Sequence, residues 1–319
     1  MSKMSYAEAI SDSVAIEMRQ DPNIAYVGED PVGGAQQVFM GAWCEFPERF
    51  IVAPITETAN AGCAIGASMC GMRMILDMMY ADFIPVAMDE IYNQAANVCY
   101  TYNGKGNCPV VIRAMCGNGT SEGLQHSHSL ENLFAHIPGL KVVMPTFPDD
   151  AKGLMTSSLR DNGPVIFLTH RKLGYNEGEV PDNEYLVPLG KAKVVREGKD
   201  VTLVSWSYPV MTCLQAAENL VKQGINAEVI DLRTIVPWDK ECIKESVRKT
   251  GRLVVVSEEN HTGSFAGEIA ATLAEEIFNA LKGPIKRVTS IDAPVPIEKL
   301  EDMYLITPEK IEKAVMSLF

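Results

Sequence analysis

The sequence predicts two α/β domains, each a three-layer α/β/α stack of largely parallel strands, with the second smaller than the first. Three observations predict it. Short β-rich apolar runs recur with amphipathic segments between them, the pattern of right-handed strand–helix–strand crossovers. That alternation stops from Gly174 to Gly198, a stretch rich in Gly, Pro, Asn and charge, and then restarts. A length of 319 residues also suits two domains better than one. Domains are therefore expected at 1–175 and 199–319, with a linker or a pair of surface hairpin strands over 176–198.

Taken in order, Ala7–Gln20 is amphipathic and reads as a helix, and Ile24–Gly28 reads as a strand entering a loop at Glu29 and Asp30. Glu57 reads as a carboxylate at a strand end, leading a helix on which Gly62 and Gly66 lie one turn apart on one face. Such a pair lets a second helix backbone come close. Strand Met74–Met79, a helix from about Ile84 to Val98, strands Val110–Met115 and Lys141–Met144, helix Asp149–Arg160 and strand Val165–Leu168 complete the first domain. In the second, strands Val201–Trp206, Ala227–Asp231, Leu253–Ser257 and Lys286–Ile291 alternate with helices Val210–Gln223, Asp239–Lys249, Gly263–Leu281 and Pro308–Ser317.

The formal charge of −13 argues against nucleic acid or an anionic membrane as partner, since both require a basic face. It suits a basic protein partner or simple solubility. No stretch reaches ~18 consecutive apolar residues and the first residues carry no apolar run, so a cytoplasmic protein is expected. The eight cysteines (44, 63, 70, 99, 108, 116, 213 and 242) include no C-x-x-C pair. Most sit in apolar runs and are expected to be small buried hydrophobes of a reducing compartment.

The ligand edge of an open α/β sheet is the edge where loops follow strands. In the first domain those loops carry Glu29, Asp30 and Gly33-Gly34, then Glu57, then Asp82-Phe83, then the run Cys116-Gly-Asn-Gly-Thr-Ser-Glu-Gly123 leading to His126 and His128. A Gly-rich loop with Asn, Thr and Ser can cradle an anion through backbone N–H groups, and it can equally be a plain surface loop. Neither G-x-G-x-x-G nor G-x-x-x-x-G-K-[ST] nor G-x-S-x-G is present. His126 and His128 alternate on an extended stretch, which disfavours a shared metal and leaves one histidine aimed at a pocket. A poorly hydrated Glu57 would hold its proton firmly enough to hydrogen-bond a heterocycle nitrogen; equally, an acid is what a helix start favours.

Together these strings resemble one family over nearly the whole chain. They are G-E-D (28–30), E-x4-G-x3-G (57–66), A-D-F (81–83), D-E-I-Y-N-Q-A-A (89–96), P-V-V-I-R (109–113), H-S (126–127) and F-A-H-I-P-G-L-K-V-V-M-P (134–145). D-A-K-G-L (150–154), R-D-N-G-P-V-I-F (160–167), P-L-G-K-A (188–192) and L-R-T-I-V-P (232–237) complete the set. The chain is similar to the β subunit of the thiamine-diphosphate-dependent E1 component of 2-oxo acid dehydrogenase complexes, of the pyruvate, acetoin and branched-chain types. The resemblance implies a thiamine-type pyrimidine-binding domain followed by a transketolase C-terminal-like domain.

It also implies roles. Glu57 corresponds to the glutamate that hydrogen-bonds N1′ of the cofactor's aminopyrimidine and so favours the tautomer that takes up the thiazolium proton. Phe83 corresponds to the aromatic on the pyrimidine face, Met79 to an apolar cofactor-lining position, and His126 to the histidine near substrate or the incoming lipoyl group. Val110, Ser158, Leu159, Asp161 and Gly163 match positions where some members bind a potassium ion, largely through carbonyl oxygens. The chain has no G-D-G, the start of the loop that holds the cofactor's diphosphate and Mg²⁺. Half an active site is therefore expected here, with the other half on a separate α subunit in an α2β2 assembly. A lipoyl acyltransferase is expected to dock on an acidic second domain and on the carboxylate of Phe319. Thr58, Ala59 and Asn60 depart from the family's usual residues after the glutamate, and His128 replaces a common Gln. H-I-P-G-L-K-V-V and T-H-R-K-L lean towards the acetoin or pyruvate members. The alternatives are the C-terminal half of a split transketolase and a non-catalytic docking module.

Overall fold

The central strands of both sheets are buried along nearly their whole length, because a parallel sheet covered on both faces leaves no strand face in water. The computed structural model describes residues 1–31 and 35–319, so Gly33-Gly34 lies outside the described residues. The chain forms two units, residues 1–117 with 133–189 and residues 118–132 with 190–319. The stretch 118–132, counted with the first domain by sequence, thus belongs with the second unit, and 176–189 belongs with the first.

The strands of the first unit are β1 (Ser2–Ser5), β2 (Ile24–Gly28), β3 (Phe50–Val52), β4 (Arg73–Tyr80), β5 (Val110–Cys116), β6 (Lys141–Val143), β7 (Val165–His170) and β8 (Glu177–Val180). Six of them lie in the order β6-β7-β5-β4-β2-β3, every neighbouring pair parallel. β5 and β7 are buried at every residue. β1 and β8 form a separate antiparallel ribbon. The stretch 174–198 is therefore no hairpin: β8 pairs backwards with β1.

The helices are α1 (Tyr6–Gln20), α2 (Met40–Glu45), α3 (Glu57–Met69), α4 (Val98–Thr101), α5 (Glu131–Ala135) and α6 (Pro148–Arg160). Ser5 and Glu8 close a reciprocal capping box at the start of α1, with bonds of 3.2 and 2.8 Å. α1 packs on α6, where Arg160 grips buried Glu17 through two bonds of 2.8 and 2.7 Å.

The helix expected over 84–98 is broken. A 3-10 segment over Ala81–Ala87 contains Pro85, a π-helical turn follows over Asp89–Gln94, and only Val98–Thr101 is α-helical. Pro85 has no N–H to give to the i−4 carbonyl, so a regular helix cannot run through it.

In the second unit, β9 (Lys193–Arg196), β10 (Val201–Ser205), β11 (Ala227–Asp231), β12 (Thr234–Val236), β13 (Leu253–Asn260) and β14 (Lys286–Ser290) alternate with α7 (Pro209–Val221), α8 (Lys240–Thr250), α9 (Phe265–Ile277), α10 (Glu301–Tyr304) and α11 (Pro308–Met316). The sheet order is β14-β13-β10-β11-β9, parallel except for β9. α7 packs with α11, α8 with α9, and all four touch the sheet.

Two composition-level expectations change. Cys44, Cys63, Cys70 and Cys99 are exposed, so half of the eight thiols are not core residues. The negative charge is not in the second half: residues 190–319 hold 17 Lys and Arg against 19 Asp and Glu, while residues 1–189 hold 11 against 22. No helix among the described residues is long and apolar enough to cross a membrane.

Candidate active site

In the first unit, the carboxyl ends of β4, β2 and β3 lie side by side, with Gly28 in register with Asp77 on one side and Val52 on the other. Glu29 follows Gly28 directly. Glu57 is the first residue of α3 rather than the end of a strand, and it is half-buried. Among the described residues its carboxyl has no hydrogen-bond partner. Glu29 is close enough for the Glu57 charge to act on it: burial first, then that charge, raise the Glu29 carboxyl above its usual range, against a backbone bond from Thr56 that lowers it. The α3 N-terminus thus presents a free acceptor beside a carboxyl that keeps its proton more readily.

Thr58 Oγ1 donates to the carbonyl of Val86 at 3.2 Å, fastening the first turn of α3 to the 81–87 segment that carries Phe83. Phe83 is half-buried and meets Tyr80 edge-on, with centroids 5.9 Å apart. Asn60, one of the departures from the family pattern, is buried and donates to Pro54 O at 3.3 Å.

Met79 sits in a left-handed conformation (φ 59°) where β4 slips register against β5. A non-glycine residue there needs support. The Met79 N–H donates to Asp77 Oδ1 at 3.1 Å. Asp77 in turn accepts Tyr26 O–H at 3.2 Å and Arg113 Nη1 at 3.2 Å. Arg113 Nη2 donates to Thr169 Oγ1 at 2.9 Å and Gln36 Oε1 at 3.3 Å. The ion pair is almost fully buried, at 2% and 4% side-chain exposure, so it acts as a rigid footing for the Met79 turn.

The Gly62/Gly66 face of α3 is exposed, as are Ala59, Cys63, Met69 and Cys70. A Cβ on Gly66 would meet nothing within 4 Å, and one on Gly62 would come no closer than 3.9 Å to Glu90 Cγ. Glu90 Oε2 is buried without a hydrogen-bond partner among the described residues. Ile51, Val52, Ile55, Val86, Tyr92 and Tyr100 add further exposed apolar side chains to this unit.

His126 lies in the second unit, on the 118–132 loop. It is half-buried, and its N–H donates to Gly123 O at 3.3 Å. The loop leaves β5 at Gly117, which has φ +94° and no room for a side chain, since a Cβ would run into the His170 ring. Glu301 then clamps the loop, accepting Gly119 N–H at 2.5 Å, Ser121 N–H at 2.9 Å and Ser121 Oγ at 3.0 Å. At the far end Trp206 Nε1 donates to Glu131 Oε1 at 2.8 Å, and Asn132 donates to Gly263 O at 3.1 Å. His128, but not His126, lines an open depression of about 640 Å³ with Asn260, Thr262 and Asp292. Among the described residues no group of three or more His, Cys, Asp or Glu could hold a metal ion.

The five potassium positions lie in the first unit. Arg73 Nη1 already donates to two of their carbonyls, Leu159 O at 3.0 Å and Asp161 O at 2.8 Å. The Asp161 carboxylate accepts Lys141 Nζ at 2.9 Å and Gly163 N–H at 2.8 Å. With a guanidinium and an ammonium in place, Val110, Ser158, Leu159, Asp161 and Gly163 do not fit a further cation well.

Comparison with known proteins decides the family. Residues 2–176 match the transketolase pyrimidine-binding domain and residues 190–311 the transketolase C-terminal domain. The chain is 44% identical to the acetoin:2,6-dichlorophenolindophenol oxidoreductase β subunit of Cupriavidus necator, covering 98% of this chain and 96% of that one. It is 42% identical to the 2-oxoisovalerate dehydrogenase β subunit of Bacillus subtilis, covering 100% and 99%. It is 39% identical to a pyruvate dehydrogenase E1 component β subunit of Staphylococcus epidermidis, covering 100% and 99%. The chain belongs to the E1 β-subunit family. A solved split-gene transketolase, described as an inactive β4 tetramer, has the same fold with a TM-score of 0.81 at 26% identity, covering 99% and 98%. The E1 β subunits are thiamine-diphosphate-dependent oxidoreductase subunits that work with an α subunit.

Within that family frame, Glu57, Met79 and Phe83 stand around the ends of β3 and β4, and His126 stands on the second unit. Sequence reading missed Asp77, Arg113, Glu131 and Glu301, which hold those elements in place. Arg113 carried a signal, a lone cation in an otherwise apolar strand. Glu131 and Glu301 carried none.

Proposed function

We propose that this chain is the β subunit of a cytoplasmic 2-oxo acid or acetoin dehydrogenase, supplying the pyrimidine half of an active site in an α2β2 assembly and passing the acyl group to a lipoyl acyltransferase. The observation that carries the reading is Glu57, a half-buried carboxyl without a protein partner, beside a half-buried Phe83 and a braced Met79. An unpartnered acceptor on a helix start that is fastened to the segment carrying an aromatic side chain suits a flat heterocycle with a ring nitrogen.

Thiamine diphosphate, when bound, would supply a nucleophilic carbon and an electron sink for carbonyl chemistry. Glu57 would hold the proton shared with N1′, with Glu29 as the neighbouring acid. Phe83 would cover the pyrimidine face, and Met79 would shape its apolar wall. His126 would meet the substrate or the incoming lipoyl group. The absence of a G-D-G run leaves the diphosphate and Mg²⁺ to the α subunit. The reading assigns no work to a potassium ion at Val110–Gly163, because Arg73 engages two of the carbonyls. The exposed apolar surface near α3 suits the α subunit and a second β chain.

Mixing the chain with its α subunit, thiamine diphosphate and Mg²⁺ should give dichlorophenolindophenol reduction with acetoin, pyruvate or 3-methyl-2-oxobutanoate, and the chain alone should give none. The fold likeness to a split transketolase keeps ketol transfer as the second reading. Transfer between sugar phosphates, with no dye reduction by any of the three substrates, would select it instead.

A further inference from the structure

Glu131 and Glu259 are both buried within the second unit, at 1% and 0% exposure. Glu131 opens α5 at the end of the His126 loop, and its Oε1 takes the indole N–H of Trp206. Glu259 lies near the end of β13, and its Oε2 takes the Phe265 N–H at 2.9 Å, at the start of α9. Each carboxyl keeps one more buried oxygen, Glu131 Oε2 and Glu259 Oε1, without a well-formed hydrogen bond among the described residues, although the Ser257 hydroxyl and the Ala266 N–H lie close enough to favour the Glu259 charge. The two donors lie against each other, with the Trp206 and Phe265 rings edge-on and their centroids 6.1 Å apart, so the two carboxyls share one neighbourhood and the Glu131 charge acts on Glu259.

Two adjacent buried carboxylates with two orphan oxygens form an incomplete arrangement, and one proton between them completes it. It gives each orphan oxygen a partner and removes one of two like charges from a dry site. We propose that Glu131 and Glu259 share a proton, and that this carboxyl pair is the positioning device that ties the end of the His126 loop to β13 and α9. Its bearing on catalysis rests on the dehydrogenase reading above.

The surroundings reinforce the need for the proton. Glu258 adds its charge to that on Glu131. Tyr304 is pushed up to about 12 by burial, with Glu258, Glu131 and Asp292 acting on it in the same direction. Tyr208, beside Glu258, is raised as well. Against these acids and phenols, the Phe265 and Ala266 N–H groups and the Ser257 hydroxyl favour the Glu259 charge. Burial pushes the Glu131 carboxyl up to about 7 and the Glu259 carboxyl well above its usual range. Carboxyls with raised folded values stabilise the fold fully below the unfolded carboxyl range, and that contribution is lost as pH rises through the folded value. The anchor therefore holds in acid and loosens as pH rises through about 7.

The test uses the full chain and the indole ¹⁵N–H resonance of Trp206, assigned with Trp206→Phe. One titration step near neutrality is expected in the wild type. Glu131→Gln and Glu259→Gln should each abolish it, because the amide permanently supplies the hydrogen bond that the shared proton supplies. Amide exchange over residues 119–132 should rise about tenfold above the step in the wild type and stay low in Glu259→Gln. In the assembled enzyme the alkaline limb of kcat/KM should move upward in Glu259→Gln. A Trp206 resonance that stays flat, or a step that survives both substitutions, would overturn the shared proton. Should the variants not fold, the infrared band of a buried protonated carboxyl in the wild type, lost on raising pH, carries the same decision, and its absence in acid overturns the claim. A titrating pair with identical pH–rate profiles in wild type and Glu259→Gln would overturn the positioning role alone. The resonance and exchange readouts need neither α subunit nor substrate, so their failure is distinct from failure of the dehydrogenase reading.

Discussion

Arg113→Met removes the cation beneath the Met79 turn and leaves Asp77 buried with only Tyr26 and the Met79 N–H as donors. The native pair is nearly solvent-free, at 2% and 4% side-chain exposure, and the guanidinium also spends Nη2 on Thr169 and Gln36. Breaking one partner of such a pair costs about 3–5 kcal/mol, since an uncompensated charge stays behind. At about 2–4 °C per kcal/mol for a unit of this size, the first unit's Tm should fall by about 6–20 °C. Calorimetry on the isolated chain measures it. The double variant Asp77→Met/Arg113→Met should recover much of the loss, because two apolar side chains of similar volume replace the pair without an orphan charge. A single variant melting within about 2 °C of wild type, or a double variant showing the summed loss, would refute the reasoning. The assembled Arg113→Met enzyme should also need more thiamine diphosphate for half-saturation, because Met79 loses the brace that keeps it at positive φ.

Glu57→Gln should reduce turnover to near background while the assembled enzyme still binds thiamine diphosphate, weakened by about 1.5–3 kcal/mol from the lost charge-assisted hydrogen bond; wild-type turnover in the purified variant would sink the assignment. Gly66→Leu meets no atom within 4 Å in the single chain, so it should raise that chain's own stability by up to about 1 kcal/mol through helix propensity. In the assembly it should overpack the α3 seam by about 1–3 kcal/mol and shift sedimentation towards smaller species, and an unchanged sedimentation profile would count against the seam. Removing Leu318 and Phe319 takes a carbonyl and a ring away from Arg252 and should weaken acyltransferase capture without touching dye reduction. Since residues 190–319 are close to neutral, that capture should depend only weakly on salt; a steep salt dependence would show that the acidic first half takes part.

The parallel sheets are legible because short β-branched runs such as Val201–Ser205 (β10) and Val110–Cys116 (β5) recur between longer amphipathic segments, and length and β-branching separate them from helices. The helix over 84–98 was misread because its apolar spacing persists through Pro85, whereas the backbone obeys the missing N–H. Glu57 was placed on a strand end instead of at N1 of α3, a shift of one element boundary. The ownership of 118–132 was not legible: it depends on Glu301 reaching back to Gly119 and on Trp206 reaching Glu131, contacts far apart in sequence. Cys63 and Cys70 look like core residues from their apolar neighbours, yet both sit on the outer face of α3, where only the folded helix shows which side is turned outward.

The acids of this chain divide by how completely they are satisfied, and the division follows their work. Asp77, Glu17 and Glu301 are buried and fully engaged, with two or more donors each, and they hold a turn, a helix pair and a loop. Glu57, Glu90, Glu131 and Glu259 are buried or half-buried and leave at least one oxygen without a protein donor. An orphaned acceptor in a dry setting costs free energy, so each needs a completing group. For Glu57, whose oxygens are not fully buried, the proposed group is a ring nitrogen. For Glu131 with Glu259 it is a proton. For Glu90, beside Gly62 on an exposed helix face, the proposed group is a donor from another chain. The same physical defect thus marks a cofactor contact, a titrating anchor and a subunit seam.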